Sequence, residues 1–459
     1  MFPRRRNLRI GPLALALLLV AGAAWSGLRA GAPPEVTATG DLPAIGPLTR
    51  VSIEARESRR GLASLVVELV QGERVWPLAE RHHAPRPSWW LFGDATFEDA
   101  LVVEVGRERQ AELVEGEATV RVTAGRAPTW LRSPDPVVHE LALPVRLVPP
   151  AVAVTSSHNY AAQGGAAVVV YRVGETSVRD GVQAGTWWSP GAALPGGAPG
   201  ERFALFAVPY DLDEPDAIRL VAEDEVGNRA EQPFVERYFA KPLGRETIRL
   251  SEGFMEKVVP QILARTPGLA DPGDLLEAYL LLNGELRRRN ADSLLELAAR
   301  SRPEFLWSEP FLSLPNAQVM SSFANRRTYV LDGRDVDTQD HLGIDLASVR
   351  AAPLPAANAG VVVLAEYLGI YGNTVVVDHG HGLMSLYAHL SQIDVTADQI
   401  VERGETLGRT GETGMAGGDH LHFTVLLHGR PVTPVEWWDA DWIADRVAAK
   451  LGAALRFSP

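Results

Sequence analysis

Histidine residues are concentrated in one part of the chain. Seven of the eleven histidines lie between residues 341 and 428. Together with aspartate, imidazole groups are ligands of zinc, and a catalytic zinc takes three protein ligands and leaves a fourth position open for water. This stretch is therefore the part of the sequence in which metal chemistry is expected.

Two spacings within the stretch suit such a site. His420 and His422 are two residues apart, so in an extended strand their side chains point to the same face. His341 and Asp345 are four residues apart, and Gly343 between them leaves room for the backbone. The glycine and the lack of a helix-favouring run predict extended chain there.

Three motifs containing these residues follow one another in a set order. They are His341-Leu-Gly-Ile-Asp345, Tyr387-Ala-His389-Leu390 and Gly418-Asp-His420-Leu-His422-Phe423. Their order and content resemble the lysostaphin/LytM-type zinc endopeptidases, which cut the peptides of peptidoglycan. The resemblance runs from about Leu314 to Asp439.

The resemblance implies a role for each of five residues. It makes His341, Asp345 and His422 the ligands of Zn2+, with water in the fourth position. It makes His389 and His420 uncoordinated catalytic histidines, one taking a proton and the other donating a hydrogen bond to the developing oxyanion. Which of the two acts as the general base stays open.

Four further residues near these motifs need an interpretation. Tyr371 and Asn373 stand where the family narrows its groove, so the resemblance implies substrate contacts. His379 and His381 form a second His-x-His, but they follow a β-run and precede glycines, so we interpret them as turn residues near the rim of the cleft.

At position 324 this chain has Ala where the family often has Gly, which concerns the local turn geometry.

The pattern of residues at the N-terminus predicts a targeting segment. Four arginines precede a mostly apolar run from residue 10 to 28, and nineteen residues of helix span about 28 Å, close to the ~30 Å of bilayer hydrocarbon. The length favours an uncleaved membrane anchor. The small residues of Ala21-Gly-Ala23 and Ala30-Gly-Ala32 leave a cleaved signal peptide as the alternative. Both predict that the rest of the chain is extracytoplasmic, on the periplasmic or cell-envelope side.

Composition narrows the function further. The net charge of −13 argues against binding of nucleic acid. The chain has no cysteine, which excludes disulfides and thiolate metal sites. The expected partners are therefore peptidoglycan peptides and, through residues 10–28, the inner or cytoplasmic membrane. Any partner in cell-wall synthesis or division stays unidentified.

The pattern of elements predicts a mainly β chain. Short alternating segments separated by turn residues indicate two β-sandwiches, and Asp224-Glu-Val-Gly-Asn228 resembles the last-hairpin turn of bacterial immunoglobulin-like domains. A helical connector then precedes an antiparallel-sheet zinc peptidase domain that ends in a helix. The expected boundaries are 1–33 for the signal anchor or signal peptide, 34–148 and 149–242 for the sandwiches, 243–313 for the connector and 314–459 for the peptidase domain.

Three functions from different classes remain to be weighed. The leading one is an exported zinc metalloendopeptidase that hydrolyses peptidoglycan. The second is a non-catalytic cell-wall binding protein or activator of a partner amidase, against which the intact set of five residues argues. The third, a D-Ala-D-Ala carboxypeptidase, would require a Glu-x-x-His element, and this stretch ends in His-x-His. The bond that is cut, the oligomeric state and an inhibitory role of the connector stay open.

Overall fold

The computed structural model describes residues 11–28, 31–84 and 94–459. Contacts divide the chain into two units. The first comprises Met1–Pro149 with Glu223–Arg229, and the second comprises Pro150–Ala222 with Ala230–Pro459. The predicted boundaries at 242 and 313 therefore fall within one unit.

The described residues of the first unit form a helix and a seven-stranded β-sandwich. Its elements are α1 (Pro12–Leu28), β1 (Glu35–Gly40), β2 (Thr49–Arg56), β3 (Leu62–Gln71), β4 (Arg74–His82), β5 (Glu98–Val105), β6 (Gly116–Arg126) and β7 (Val137–Val145). The strands form antiparallel sheets in the orders β1-β2-β5 and β4-β3-β6-β7. Alternate residues of both sheets, among them Ile53 of β2 and Val67 of β3, form one core.

The prediction of a membrane-spanning helix over residues 10–28 is not supported. Helix α1 has 17 residues, which rise about 26 Å, and residue 10 lies outside the described residues. Among the helices of the described residues, none is long and apolar enough to cross a membrane.

The second unit begins with another β-sandwich. Its strands are β8 (Val152–Val154), β9 (Tyr160–Ala162), β10 (Ala166–Val173), β11 (Ser177–Ala184), β12 (Trp187–Pro190), β13 (Ala192–Ala193), β14 (Glu201–Ala207), β15 (Ile218–Asp224), β16 (Arg229–Pro233) and β17 (Arg237–Phe239). Two four-stranded sheets have the orders β13-β14-β10-β8 and β12-β11-β15-β16. Residues such as Val169, Val182 and Phe206 fill the space between them.

The segment that follows is helical, as predicted, and also contains a strand. Its elements are β18 (Arg245–Arg249), α2 (Glu252–Ala264), α3 (Leu275–Leu281) and α4 (Arg287–Ala298). The carboxylate of Asp274 accepts a hydrogen bond from the Glu277 amide and caps the N-terminus of α3. A π-helical turn, Leu282–Leu286, joins α3 to α4.

The C-terminal part is built on an antiparallel sheet. Its strands are β19 (Gln318–Ser321), β20 (Asn325–Leu331), β21 (Arg334–His341), β22 (Ile344–Ala347), β23 (Pro353–Pro355), β24 (Gly360–Tyr367), β25 (Asn373–Gly380), β26 (Leu383–Ala388), β27 (Gln392–Ile393), β28 (Ile400–Val401), β29 (Thr406–Arg409), β30 (Leu421–Leu427) and β31 (Arg430–Val432). The main sheet has the order β19-β22-β30-β26-β25-β24-β28, with β31 beside β30.

Two neighbours support this sheet. The short helices α5 (Val435–Trp438), α6 (Ala440–Ile443) and α7 (Ala449–Leu451) follow it. The apolar residues Ile443, Val447, Leu451 and Leu455 are buried in the same core as the sheet. Strand β18 pairs in parallel with β20, which in turn pairs with β21. The chain is mainly β, as predicted, with antiparallel sheets; the immunoglobulin-like topology of the sandwiches stays a prediction.

Candidate active site and metal centre

Three polar side chains converge where neighbouring strands meet. Asp345 of β22 lies directly opposite His422 of β30 in the antiparallel register. His341 is the last residue of β21, is separated from β22 by two residues, and reaches the same point. The extended backbone predicted around His341 and Asp345 is therefore confirmed.

The donor atoms of these residues form a compact triangle. The Nε2 atom of His341 lies 2.9 Å from Oδ1 of Asp345 and 3.1 Å from Nδ1 of His422. The Nδ1 atom of His422 lies 2.9 Å from the same carboxylate oxygen. All three residues are buried, so the strands hold two nitrogens and one oxygen in a site largely shielded from solvent.

In each of these three residues, the polar atom outside the triangle already has a hydrogen-bond partner. The Nδ1–H of His341 donates to the Ser322 carbonyl at 3.0 Å, which leaves Nε2 with its lone pair. Arg327 donates to Oδ2 of Asp345 at 2.8 Å, which leaves Oδ1 for the triangle. Such partners fix the orientation and tautomer of metal ligands.

The same holds for His422. The hydroxyl of Thr424 donates to the Leu342 carbonyl at 3.0 Å and lies 3.2 Å from Nε2 of His422, so it accepts the Nε2 proton. Nδ1 is then free on the side of the triangle. Gly343 leaves the room that the ring needs, because a Cβ atom there would lie 2.5 Å from two ring atoms of His422.

This donor set fits a zinc ion. Zinc bonds to imidazole nitrogen and carboxylate oxygen are about 2.0–2.2 Å long, and the centre of a triangle of this size is about 1.7 Å from each corner. These three residues would hold the ion and would leave a fourth position for water. Two imidazoles with one carboxylate are also a donor set found at catalytic zinc.

Two more histidines stand beside the triangle. The rings of His389 and His420 have centroids 4.9 Å apart. Nδ1–H of His389 donates to the Thr413 carbonyl at 2.8 Å, and Nδ1–H of His420 donates to the Gly418 carbonyl at 2.8 Å. Nε2 is consequently the free nitrogen of both rings, and that of His420 lies 3.6 Å from Oδ1 of Asp345.

Charge and burial shift the pKa values of these groups. Burial opposes ionisation of Asp345, but the imidazoles of His341, His420 and His422 outweigh it and hold the pKa well below its ordinary value. Burial lowers the pKa of His422 to about 4, and burial with the two neighbouring imidazoles lowers that of His389. Burial also opposes protonation of His420, yet the Asp345 carboxylate raises its pKa overall. A bound divalent cation would remove that attraction.

A cavity of about 400 Å³ opens onto these five residues. Tyr371 lines it, with its ring centroid 5.7 Å from that of His422. Asn373 is not among the lining residues, since its side chain donates to the Leu390 carbonyl at 3.0 Å. The helical segment forms another part of the cavity wall, to which it contributes Ile248, Arg249, Phe254, Tyr279 and Arg287. Substrate contact by Tyr371 and Asn373 stays a prediction.

Comparison with known families identifies this part of the chain. The model of Peptidase family M23 matches residues 339–434, a range that contains all five histidine and aspartate residues described above. The C-terminal part carries an M23 peptidase domain. The predicted relationship to LytM-type peptidases is therefore confirmed.

Two curated relatives that match the C-terminal part of the chain are peptidases by name. The chain is 33% identical over 164 residues to peptidoglycan DD-endopeptidase ShyA of Vibrio cholerae serotype O1, which is 36% of this chain and 35% of that protein. It is 41% identical over 95 residues to DD-carboxypeptidase/endopeptidase Mpg of Neisseria meningitidis serogroup B, covering 21% of this chain and 22% of that one. The chain thus spans about a third or less of the length of these relatives.

A solved structure gives a further likeness. The catalytic domain of lysostaphin from Staphylococcus simulans aligns with 23% identity and a TM-score of 0.24, over 27% of this chain and 94% of that domain.

The second His-x-His of the M23 domain differs from its predicted position at the rim of the cleft. His379 lies within β25 and is fully buried, with Nδ1 bonded to the Ala359 carbonyl and Nε2 to the Ser385 hydroxyl. Burial lowers its pKa to about 4. His381 follows in a turn with positive φ. Neither belongs to the cluster of potential metal ligands within the described chain.

Several residues of the site were not predicted from the sequence. Thr424 carried a signal, because it stands two residues after His422 and therefore on the same strand face. Arg327 carried a weaker signal, since it follows Arg326 in an Arg-Arg pair. In the structure Arg327 forms an ion pair with Asp345, whereas Arg326 forms one with Asp340. The cavity wall from the helical segment had no local signal.

Proposed function

We propose that this chain is an exported zinc-dependent metalloendopeptidase that hydrolyses peptide bonds of peptidoglycan. The observation that carries the proposal is the His341–Asp345–His422 triangle, each member of which is oriented by a partner on its outer atom. The name of the relative ShyA, a peptidoglycan DD-endopeptidase, supports peptidoglycan as the substrate.

The triangle accounts for binding of the ion. A zinc ion held there would supply a Lewis acid and would lower the pKa of a bound water to about 7. His341 and His422 contribute neutral nitrogens, and Asp345 contributes the one carboxylate, so one positive charge remains uncompensated for polarising the substrate carbonyl. Arg327 keeps the carboxylate oriented through its outer oxygen.

The uncoordinated histidines account for the movement of protons. Because Nδ1 of both His389 and His420 is tied to a backbone carbonyl, each presents Nε2 as its reactive nitrogen. One Nε2 can accept the proton that the attacking water loses, and the protonated partner can donate to the developing oxyanion. The two rings are close enough to serve one transition state.

Export is proposed on the sequence of the N-terminal segment, in which arginines precede an apolar run. We expect the protein to be accessible to added protease in cells whose outer layers have been opened but whose cytoplasmic membrane is intact. Protection of the intact chain under those conditions, with degradation after lysis, would contradict export.

The metal assignment is tested by single substitutions in the intact chain. Asp345→Ala and His422→Ala should each lose bound zinc and activity, because each removes one of three protein ligands. His379→Ala, whose ring lies outside the cluster, should keep the metal. Elemental analysis of the purified proteins decides; a full equivalent of zinc in either ligand variant would refute the assignment.

The reaction is tested on purified peptidoglycan. Mass spectrometry of the products should show peptide bonds hydrolysed with the glycan intact, and should identify which bond is cut. A zinc-free wild-type protein that releases no product, but stimulates an amidase, would instead support the activator function.

A further inference from the structure

The helical segment that precedes the M23 domain forms part of the catalytic cavity. Arg249 is the last residue of β18 and Arg287 is the first residue of α4, and both line the cavity that contains the His–Asp–His triangle. Arg327 of β20 is the third arginine of the lining. Three arginines therefore line one cavity.

These arginines differ in their partners. Arg327 is neutralised, because it donates to Glu246 and to Asp345 at 2.8 Å each. Arg287 donates only to the carbonyl and the side-chain oxygen of Asn283, which carry no charge. Within the described part of the chain, no carboxylate forms an ion pair with Arg249 or Arg287. Two positive charges thus remain available at the cavity.

The charge balance of the chain makes these two groups informative. With a net charge of −13, the protein as a whole repels acidic ligands. Local positive charge is therefore required to bring a carboxylate next to Asp345. Arginine suits this task, because its planar group offers paired donors that match a carboxylate.

We propose that Arg249 and Arg287 form a carboxylate-binding subsite, so that the M23 domain prefers peptides with a free carboxylate near the scissile bond. The proposal rests on the endopeptidase function proposed above and adds the substrate feature that is read. It also assigns the helical segment a role in substrate recognition.

An inhibitory cover is the other role that the segment could have. A cover that occupied the substrate position would be expected to satisfy the two arginines with its own carboxylates, and the described residues provide none. The cavity also retains about 400 Å³ of space beside the triangle. Both observations favour a completed binding site over a blocked one.

The test uses the intact, zinc-loaded chain and two matched substrates. One is a cross-linked stem peptide whose carboxylates beside the scissile bond are free, and the other is the same peptide with those groups as primary amides. Wild type should prefer the free acid. Arg249→Gln and Arg287→Gln should each lose about tenfold in kcat/KM on the acid, mainly through KM, with little change on the amide, since a hydrogen bond to a charged group is being removed.

Controls separate charge recognition from folding and metal binding. Arg288→Gln alters the adjacent, exposed arginine of α4, which does not line the cavity, and should retain wild-type preference. Zinc content and melting temperature are measured for every variant. Arg249 is exposed and ends its strand, so its variant should fold even if that of Arg287 does not.

The outcomes are distinct. An unchanged acid-to-amide preference in both arginine variants, or equal losses on both substrates, would overturn the subsite. Increased turnover of both substrates would overturn it in favour of an inhibitory cover. If zinc-loaded wild type cleaves neither peptide nor purified peptidoglycan, the endopeptidase proposal itself fails, and the subsite with it.

Discussion

Replacement of Gly343 by alanine is the most direct perturbation of the metal site. A Cβ atom at this position would lie 2.5 Å from both Cε1 and Nε2 of His422 and 2.5 Å from Oγ1 of Thr424. Carbon contacts are favourable at about 3.5–4.0 Å, so the ring must move by roughly 1 Å to relieve the overlap. Metal–ligand distances tolerate about 0.2 Å. The displacement is several times that tolerance.

We therefore expect Gly343→Ala to weaken zinc binding by about 10–100-fold, the range found when a residue that orients a metal ligand is replaced. Overpacking of the buried strands should also lower the unfolding free energy by about 1–3 kcal/mol. Zinc affinity is measured by chelator competition, and the stability of the metal-free protein by denaturant unfolding, which separates the two effects.

Gly253→Ala is the matched control, because a Cβ there meets nothing within 4 Å and the residue lies in α2. It should leave zinc affinity unchanged. If Gly343→Ala binds zinc with wild-type affinity and retains kcat/KM within threefold, the backbone around residue 343 is softer than the packing implies. The reasoning from the close approach of Gly343 to His422 is then refuted.

Three other predictions follow from the same structure. His389→Ala and His420→Ala should each keep zinc but lose at least about a hundredfold in kcat, with non-additive losses in the double variant; near-normal turnover of either would remove that residue from the mechanism. Arg327→Met should weaken zinc binding about 10–100-fold in chelator competition, whereas Arg326→Gln, at a neighbouring ion pair, should not. Burial raises the pKa of Glu436 from 4.5 to about 7, so the stability present below pH 4.5 should decline by up to roughly 3 kcal/mol as pH rises through 7. Glu436→Gln should flatten this decline in unfolding measurements at several pH values, and a slope unchanged from wild type would contradict the assignment.

The sequence was sufficient for the centre of the site because local spacing encodes side-chain direction in a strand. His420 and His422 are two residues apart and both reach Asp345, at 3.6 and 2.9 Å, although β30 begins only at Leu421. Antiparallel pairing then places Asp345 opposite His422. Periodicity predicts that His420 and His422 share a strand face. Only the resemblance carried by the ordered motifs placed Asp345 in the same predicted site.

Other features depend on contacts between distant residues, which spacing does not encode. His379 has the same His-x-His pattern as the site, yet its ring is held by Ala359 and Ser385 inside the sheet. Ala324 adopts a positive φ of 62°, the region that favours the glycine of the family, and its amide still donates to the His341 carbonyl at 2.7 Å. The tertiary contacts therefore hold a conformation that the local sequence disfavours.

The boundary predicted at residue 313 separates elements that act together. Strand β18 extends the sheet of β20 and β21, and its Glu246 shares Arg327 with Asp345 of the triangle. Helix α3 buries Tyr279 in the same apolar cluster as Ile370, which lines the cavity. An ion-pair network and a common core both cross the predicted boundary. Because the orientation of Asp345 and one wall of the cavity depend on residues before 314, the candidate site includes the helical segment.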